Sequence, residues 1–116
     1  MRVALLTGSV LFAARFEAYV EAHPEAGVTV VWTATEPGGV LAALDHDPKV
    51  FLLDMRWRQQ GLEAAAVLQE AGVPLIISLW ERLDDPLIPR AVAMGLEVVE
   101  WDPSWRALLS RLQATG

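Results

Sequence analysis

The chain contains no cysteine, so disulfides, thiolate metal sites and a cysteine nucleophile are excluded. Lysine is nearly absent too. Lys49 stands against eight arginines, and the formal net charge of −6 leaves no basic stripe to track a phosphate backbone. Nucleic acid is therefore not an expected partner. No apolar run approaches the roughly 18 residues that cross a bilayer, and Met1–Leu6 is too short for the apolar region of a signal peptide. No membrane contact is expected, and the expected compartment is the cytoplasm. Histidine is scarce: His23 and His46 each sit at a helix end, with no second histidine at ligand spacing. No dinucleotide glycine pattern follows the first apolar run, and no nucleophile–base pair can be placed. The chain is expected not to be an enzyme, and no metal site or bound cofactor is read from these residues.

What is present is a globular composition, 53% apolar and 21% charged, over 116 residues. That is enough for one domain, residues 1–116, with a real core. Short apolar runs alternate with amphipathic stretches. Arg2–Leu6 is the first strand. Ser9 is placed to cap a helix reaching about Ala22, with Phe12, Phe16, Tyr19 and Val20 on one face. Val28–Trp32 is the second strand. Pro37-Gly38-Gly39 opens a short helix through Leu44. Val50–Leu53, apolar on both faces, reads as a central parallel strand. A helix over Gly61–Ala71 turns Leu62, Ala65 and Leu68 or Val67 inward. Pro74–Leu79 is the fourth strand, Pro86–Met94 the fourth helix and Leu96–Trp101 the fifth strand. Asp102 as cap and Pro103 at the first helical position start a last helix ending near Leu112. With no hairpin signal, this alternation predicts a parallel sheet covered by helices on both sides.

Tryptophan is distributed unevenly. Trp32, Trp57, Trp80 and Trp101 each close or closely follow an apolar run. If the runs are parallel strands, these indoles crowd the carboxyl edge of the sheet, where open α/β sheets bind their ligands. Three readings of this rim are open. The indoles are buried under loops; or they form an exposed patch for a partner or a second copy, with Arg56, Arg58 and Arg82 as polar anchors; or they line a small-molecule pocket. Trp105 belongs to the last helix, as packing.

Several segments together resemble the receiver domains of two-component response regulators, over essentially the whole chain. Val50-Phe51-Leu52-Leu53-Asp54-Met55-Arg56 is similar to the strand that ends in the phosphoacceptor aspartate. Gly61-Leu62-Glu63 is similar to the opening of the helix that follows, one residue closer than usual. Gly39-Val40-Leu41-Ala42-Ala43-Leu44 resembles the second helix, and Val73-Pro74-Leu75-Ile76-Ile77 the fourth strand. Ala91-Val92-Ala93-Met94-Gly95 matches the small-residue pattern before the fifth strand. The resemblance implies a flavodoxin-like, three-layer α/β fold: a five-stranded parallel sheet of order 2-1-3-4-5 with five helices.

The resemblance also exposes departures. The family's acidic pair, which holds a divalent metal, falls on Thr7-Gly8-Ser9, which has no carboxylate. Its Thr or Ser at the fourth strand falls on Leu79. Its lysine before the last proline falls on Asp102, exchanging a positive charge for a negative one. Only Asp54 remains, and it also has an ordinary role open to it, capping the next segment or pairing with Arg56 or Arg58. Phosphoryl transfer depends on positioning and charge neutralisation. The resemblance therefore implies a degenerate receiver, or pseudo-receiver: a bacterial signalling module that acts by protein–protein interaction or as a homodimer. The surface expected for this is built from the fourth helix, fifth strand and fifth helix, or from the tryptophan rim. Two alternatives stay open: a phospho-accepting receiver using Asp54 with Mg²⁺, and a small-ligand sensor at the tryptophan-lined edge.

Overall fold

Alternation along the strands builds two cores, one on each face of a single sheet. A computed structural model describes residues 1–115, with Pro37 described by its backbone alone; Gly116, the last residue of the expected domain, lies outside the described residues. The strands are β1 (Arg2–Leu6), β2 (Thr29–Ala34), β3 (Val50–Asp54), β4 (Ile76–Trp80) and β5 (Glu97–Glu100). They are all parallel, in the order β2-β1-β3-β4-β5, which is the order expected. Helices α1 (Val10–Ala22), α2 (Gln59–Glu70), α3 (Ile88–Ala93) and α4 (Arg106–Thr115) provide four of the five covering helices. The remaining one, Pro37–His46, is a 3-10 helix.

Successive residues of a strand point to opposite faces. Thus Leu6, Phe51, Leu53, Ile76 and Trp80 pack beneath the 3-10 helix, α2 and α3. Leu5, Val50, Leu52, Ile77 and Leu79 pack beneath α1 and α4. Every residue of β3 is buried, as its continuous apolar run predicts. Ser9 caps α1 as expected, its Oγ accepting from the Phe12 N–H at 3.0 Å, while Phe12, Phe16 and Val20 turn inward. On α2, Leu62, Ala65 and Leu68 are buried and Val67 is 41% exposed, which settles Leu68 as the third inward residue. Gly95, at φ +85° after α3, supplies the left-handed turn into β5.

Several details differ from the pattern read along the chain, most of them by a residue or two at an element's end. β2 extends to Ala34, and its pairing with β1 shifts between Val3 and Ala4, so that Val30 and Trp32 face opposite cores. An irregularity of this kind flips every later side chain, and hydrophobic alternation alone does not reveal it. The fourth helix is shorter than Pro86–Met94, because Asp85 first builds a turn by accepting from the Leu87 N–H at 2.9 Å. The last helix does not start at Pro103. Asp102 accepts hydrogen bonds from the Ser104 N–H and hydroxyl, closing a separate turn. Trp105 then takes a left-handed conformation at φ +58°, and α4 begins at Arg106. Trp105 precedes the helix rather than belonging to it, although its indole is buried against Phe12 and Phe16.

Candidate functional site

The carboxyl ends of β1 and β3 bring Thr7 and Asp54 together. Both are buried, Asp54 only 5% exposed. The Thr7 hydroxyl donates to Asp54 Oδ2 at 2.7 Å and accepts from the Ser9 N–H at 3.1 Å. Just past β3 the chain turns into a short 3-10 helix, Met55–Trp57, and Asp54 caps it by accepting the Arg56 N–H on Oδ1 at 3.1 Å. This turn folds Arg56 back over the aspartate that precedes it. Its Nε lies 2.9 Å from Oδ1 and 3.0 Å from Oδ2, and its terminal nitrogen 2.6 Å from Oδ2.

A fork of this kind is the strongest geometry an arginine offers a carboxylate. The hydrogen bonds to Asp54 raise the Arg56 pKa above the ordinary arginine value, against the opposing effect of burial. The guanidinium is further held over the Phe12 ring, 5.1 Å from its centroid, and reaches Glu81 at 3.7 Å. Phe12 and Glu81 complete this cluster, yet neither stood out along the chain. Phe12 reads along the chain as an ordinary residue of the first helix's inward face, and Glu81 carries no signal of its own there.

Leu79 lies opposite Asp54 in the β3–β4 register and is buried. With Phe12, Asp54, Arg56, Glu81 and Trp101 it encloses a cavity of about 20 Å³. That is room for a single water, not for a phosphoryl group. A wider, open depression of about 350 Å³ lies over Gly8, Ser9 and Trp57, with Asp54 and Arg56 on its wall. Asp102 faces its own turn, and the hydrogen bond from the Ser104 hydroxyl holds its carboxyl below the usual range.

The residue set does not fit a hard divalent cation. Such an ion takes several oxygen ligands. Here Asp54 is the one carboxylate at the ends of β1 and β3, and both its oxygens already accept from Arg56. Among the described residues no three His, Cys, Asp or Glu side chains converge on a point.

The four tryptophans do not make one rim. Trp80 is 2% exposed; its Nε1 donates to Ser78 Oγ at 2.7 Å, and that hydroxyl donates to the Glu97 carbonyl at 2.6 Å. Trp32 lies inside β2 rather than at its end, and stacks on His46 at 4.7 Å. Trp101 packs against Phe12 and, edge-on, against Trp105. Trp57 lies against Gly8, where a Cβ would stand 2.7 Å from its Nε1. The Nε1 atoms of Trp32, Trp57 and Trp101 are buried with no acceptor in the protein. Arg58 pairs with Asp85, and Arg82 with Asp84 at 2.7 Å. All three arginines singled out as anchors therefore have carboxylate partners within the chain.

No family model and no curated protein matches this chain. Solved structures do. The response regulator domain of CheB from Thermotoga maritima superimposes with a TM-score of 0.76 at 16% identity, over 99% of this chain and 92% of that one. RcsB from Salmonella enterica serovar Typhimurium, bound to the promoter rprA in the presence of a phosphomimetic, gives 0.77 at 13% identity, over 98% of both chains. A chain from the complex of CheA3 and CheY6 of R. sphaeroides gives 0.74 at 19% identity, over 98% of this chain and 94% of that one. At these identities the likeness is one of fold: the chain has the flavodoxin-like architecture seen in receiver domains.

Proposed function

We propose that this chain is a receiver-like signalling module that acts through contact with another protein, with Asp54 locked by an internal arginine instead of being phosphorylated. The observation that carries the proposal is the Arg56 fork on a buried Asp54, with Thr7 on the remaining face of the carboxylate. Aspartyl phosphorylation needs a carboxylate oxygen free to attack a phosphorus atom in line, and cations that neutralise the equatorial oxygens. Here the attacking oxygens already accept hydrogen bonds, and the nearest cation is committed to them. Leu79 offers no hydroxyl to a phosphoryl group, and Asp102 offers a charge of the wrong sign.

A domain that does not turn over a substrate exerts its effect by binding. Neighbours in fold include one solved with a protein partner and one on DNA. The net charge of −6 favours a protein partner for this chain. No helix is long and apolar enough to cross a membrane among the described residues.

The competing reading is a working phosphoacceptor. Arg56 is 43% exposed and would have to swing away from Asp54. Incubation with acetyl phosphate and Mg²⁺, followed by intact-mass measurement, separates the two. The proposal expects no phosphoryl adduct. A stoichiometric adduct that disappears in Asp54→Asn would overturn it.

A further inference from the structure

The net negative charge of this protein falls in two stretches of its sequence, reached from outside by Arg2 at the His46 and Asp47 carbonyls and by Arg90 at Gln59 Oε1. The segments 36–47 and 59–72 carry Glu36, Asp45, Asp47, Glu63 and Glu70, and no lysine or arginine. The rest of the chain holds ten carboxylates against nine lysines and arginines, close to balance. These two segments are the 3-10 helix and α2, which lie side by side over the same core. Among the described residues none of their carboxylates forms an ion pair with a lysine or arginine, whereas Asp54, Glu81, Asp84, Asp85 and Glu97 all do.

Between the two elements runs a groove of about 350 Å³. Its floor is Val40 and Ala64, 2% and 4% exposed. Its walls carry Leu41 at 50% and Val67 at 41% exposure, two of the large apolar side chains left in water among the described residues, though Val10, Leu11, Leu83 and Val92 are more exposed. Glu63 and Gln60 sit on the rim. One wall is a 3-10 helix of ten residues. Runs of more than three or four residues are uncommon because the hydrogen bonds are poorly aligned.

We infer that this groove is the docking site for a cationic amphipathic α-helix of a partner protein. The apolar stripe of such a helix seats between Leu41 and Val67, and its lysines or arginines meet Glu63 and the carboxylates beyond it. Helix-in-groove recognition has this form, with apolar anchors at helical spacing. Both walls are helices, so the groove presents no strand edge, and an added strand has nothing to pair with. A second copy of this chain would set carboxylate against carboxylate. Anionic lipid and nucleic acid are repelled for the same reason. Complementary charge steers the encounter and selects the partner, and the buried aliphatics supply the affinity.

The inference names a surface for the signalling role proposed above but does not depend on the state of Asp54. Its test therefore contains neither Mg²⁺ nor a phosphodonor, so that its failure is distinct from a failure of that reading. ¹⁵N-labelled protein is titrated with a synthetic leucine–lysine peptide whose leucines fall at helical spacing. A peptide of the same composition with the leucines scattered serves as control. The expected result is saturable shifts of the amides over residues 38–45 and 60–70, weakened by salt. The doubly substituted variant Leu41→Gln, Val67→Gln should lower affinity about tenfold or more, and Glu63→Lys should lower it severalfold. All three positions are exposed, so the fold survives, as an unchanged spectrum of the free variant would verify. Shifts centred on α3, β5 and α4 or on the carboxyl edge, equal affinity for the scattered peptide, or indifference to these substitutions would overturn the inference.

Discussion

At the carboxyl edge of β3 the charged groups answer one another within the chain. Asp54, Arg56 and Glu81 form one connected set, Arg58 meets Asp85, and Arg82 meets Asp84. On the face formed by the 3-10 helix and α2 the described carboxylates are unmatched, and large aliphatics stand beside them in water. The fold places its usual site of chemistry at the first region, since open α/β sheets do their work at the carboxyl ends of their strands. In this chain that region is self-satisfied, and unspent interaction capacity lies elsewhere.

The strand shared by both regions should show the greatest sensitivity to substitution. Leu53 is fully buried under α2 and precedes Asp54. Leu53→Ala should cost about 2–5 kcal/mol through lost burial and the cavity left behind, measured by denaturant unfolding. Leu41→Ala, half exposed in the groove, should cost well under half as much. Similar losses at the two positions would mean that the groove is core and not surface.

Removing the clamp is the next test. Breaking a fully buried ion pair costs about 3–5 kcal/mol by stranding a charge. Arg56 is 43% exposed, so water replaces part of it, and Arg56→Ala should cost about 1–3 kcal/mol. Glu63→Ala on the unmatched face should change stability by less than about 0.5 kcal/mol. If the two substitutions were equal, the matched and unmatched regions would not differ in the way described.

Gly8→Ala probes the packing beside the clamp. The added methyl would stand 2.7 Å from Trp57 Nε1, too close for the indole to stay in place. A loss of about 1–3 kcal/mol is expected from overpacking, with a change in tryptophan emission. A neutral Gly8→Ala with unchanged emission would show that Trp57 is not seated against Gly8.

The smallest expected effect is the pH dependence of a matched carboxylate. The Arg111 hydrogen bond holds the Glu97 carboxyl below its ordinary value of 4.5. A depressed folded pKa stabilises fully above the unfolded value and is lost as pH falls through the folded one. Glu97→Gln should therefore be destabilised at neutral pH, by less than about 1 kcal/mol because the pair is partly exposed. The deficit should shrink as pH drops below 4.5. A Glu97→Gln deficit that persists unchanged into acid would contradict the pairing.

Much of this architecture is legible along the chain because its signals are local. Each strand is a short apolar run, Ser9 announces α1 by its side chain, and β3 shows its central position by being apolar on both faces. The features that escape are those set by a neighbour. The shift in β2 answers its pairing with β1, and it sends Trp32 to the opposite core from Val30. The indole of the left-handed Trp105 packs on Phe12 and Phe16, far away in sequence. At the site, the departures from the receiver pattern that the sequence resembles are readable at Thr7, Gly8, Leu79 and Asp102. What stands there instead is only half readable. Arg56 stands two residues from Asp54, which allows a pair, but the roles of Phe12 and Glu81 in holding that arginine follow from helix placement and strand register. The acidic face is visible in composition only once the two segments are known to lie side by side.

The most direct test of the central claim, that Arg56 holds Asp54 in place of a metal and a phosphoryl group, is a titration with Mg²⁺ and beryllofluoride followed by tryptophan fluorescence. Trp57 adjoins Arg56 in the chain and lies over Gly8, so opening of the clamp should be reported by its emission. The account predicts no saturable, Mg²⁺-dependent change in the unaltered protein. A saturable change that requires both Mg²⁺ and beryllofluoride, and that Asp54→Asn abolishes, would contradict it.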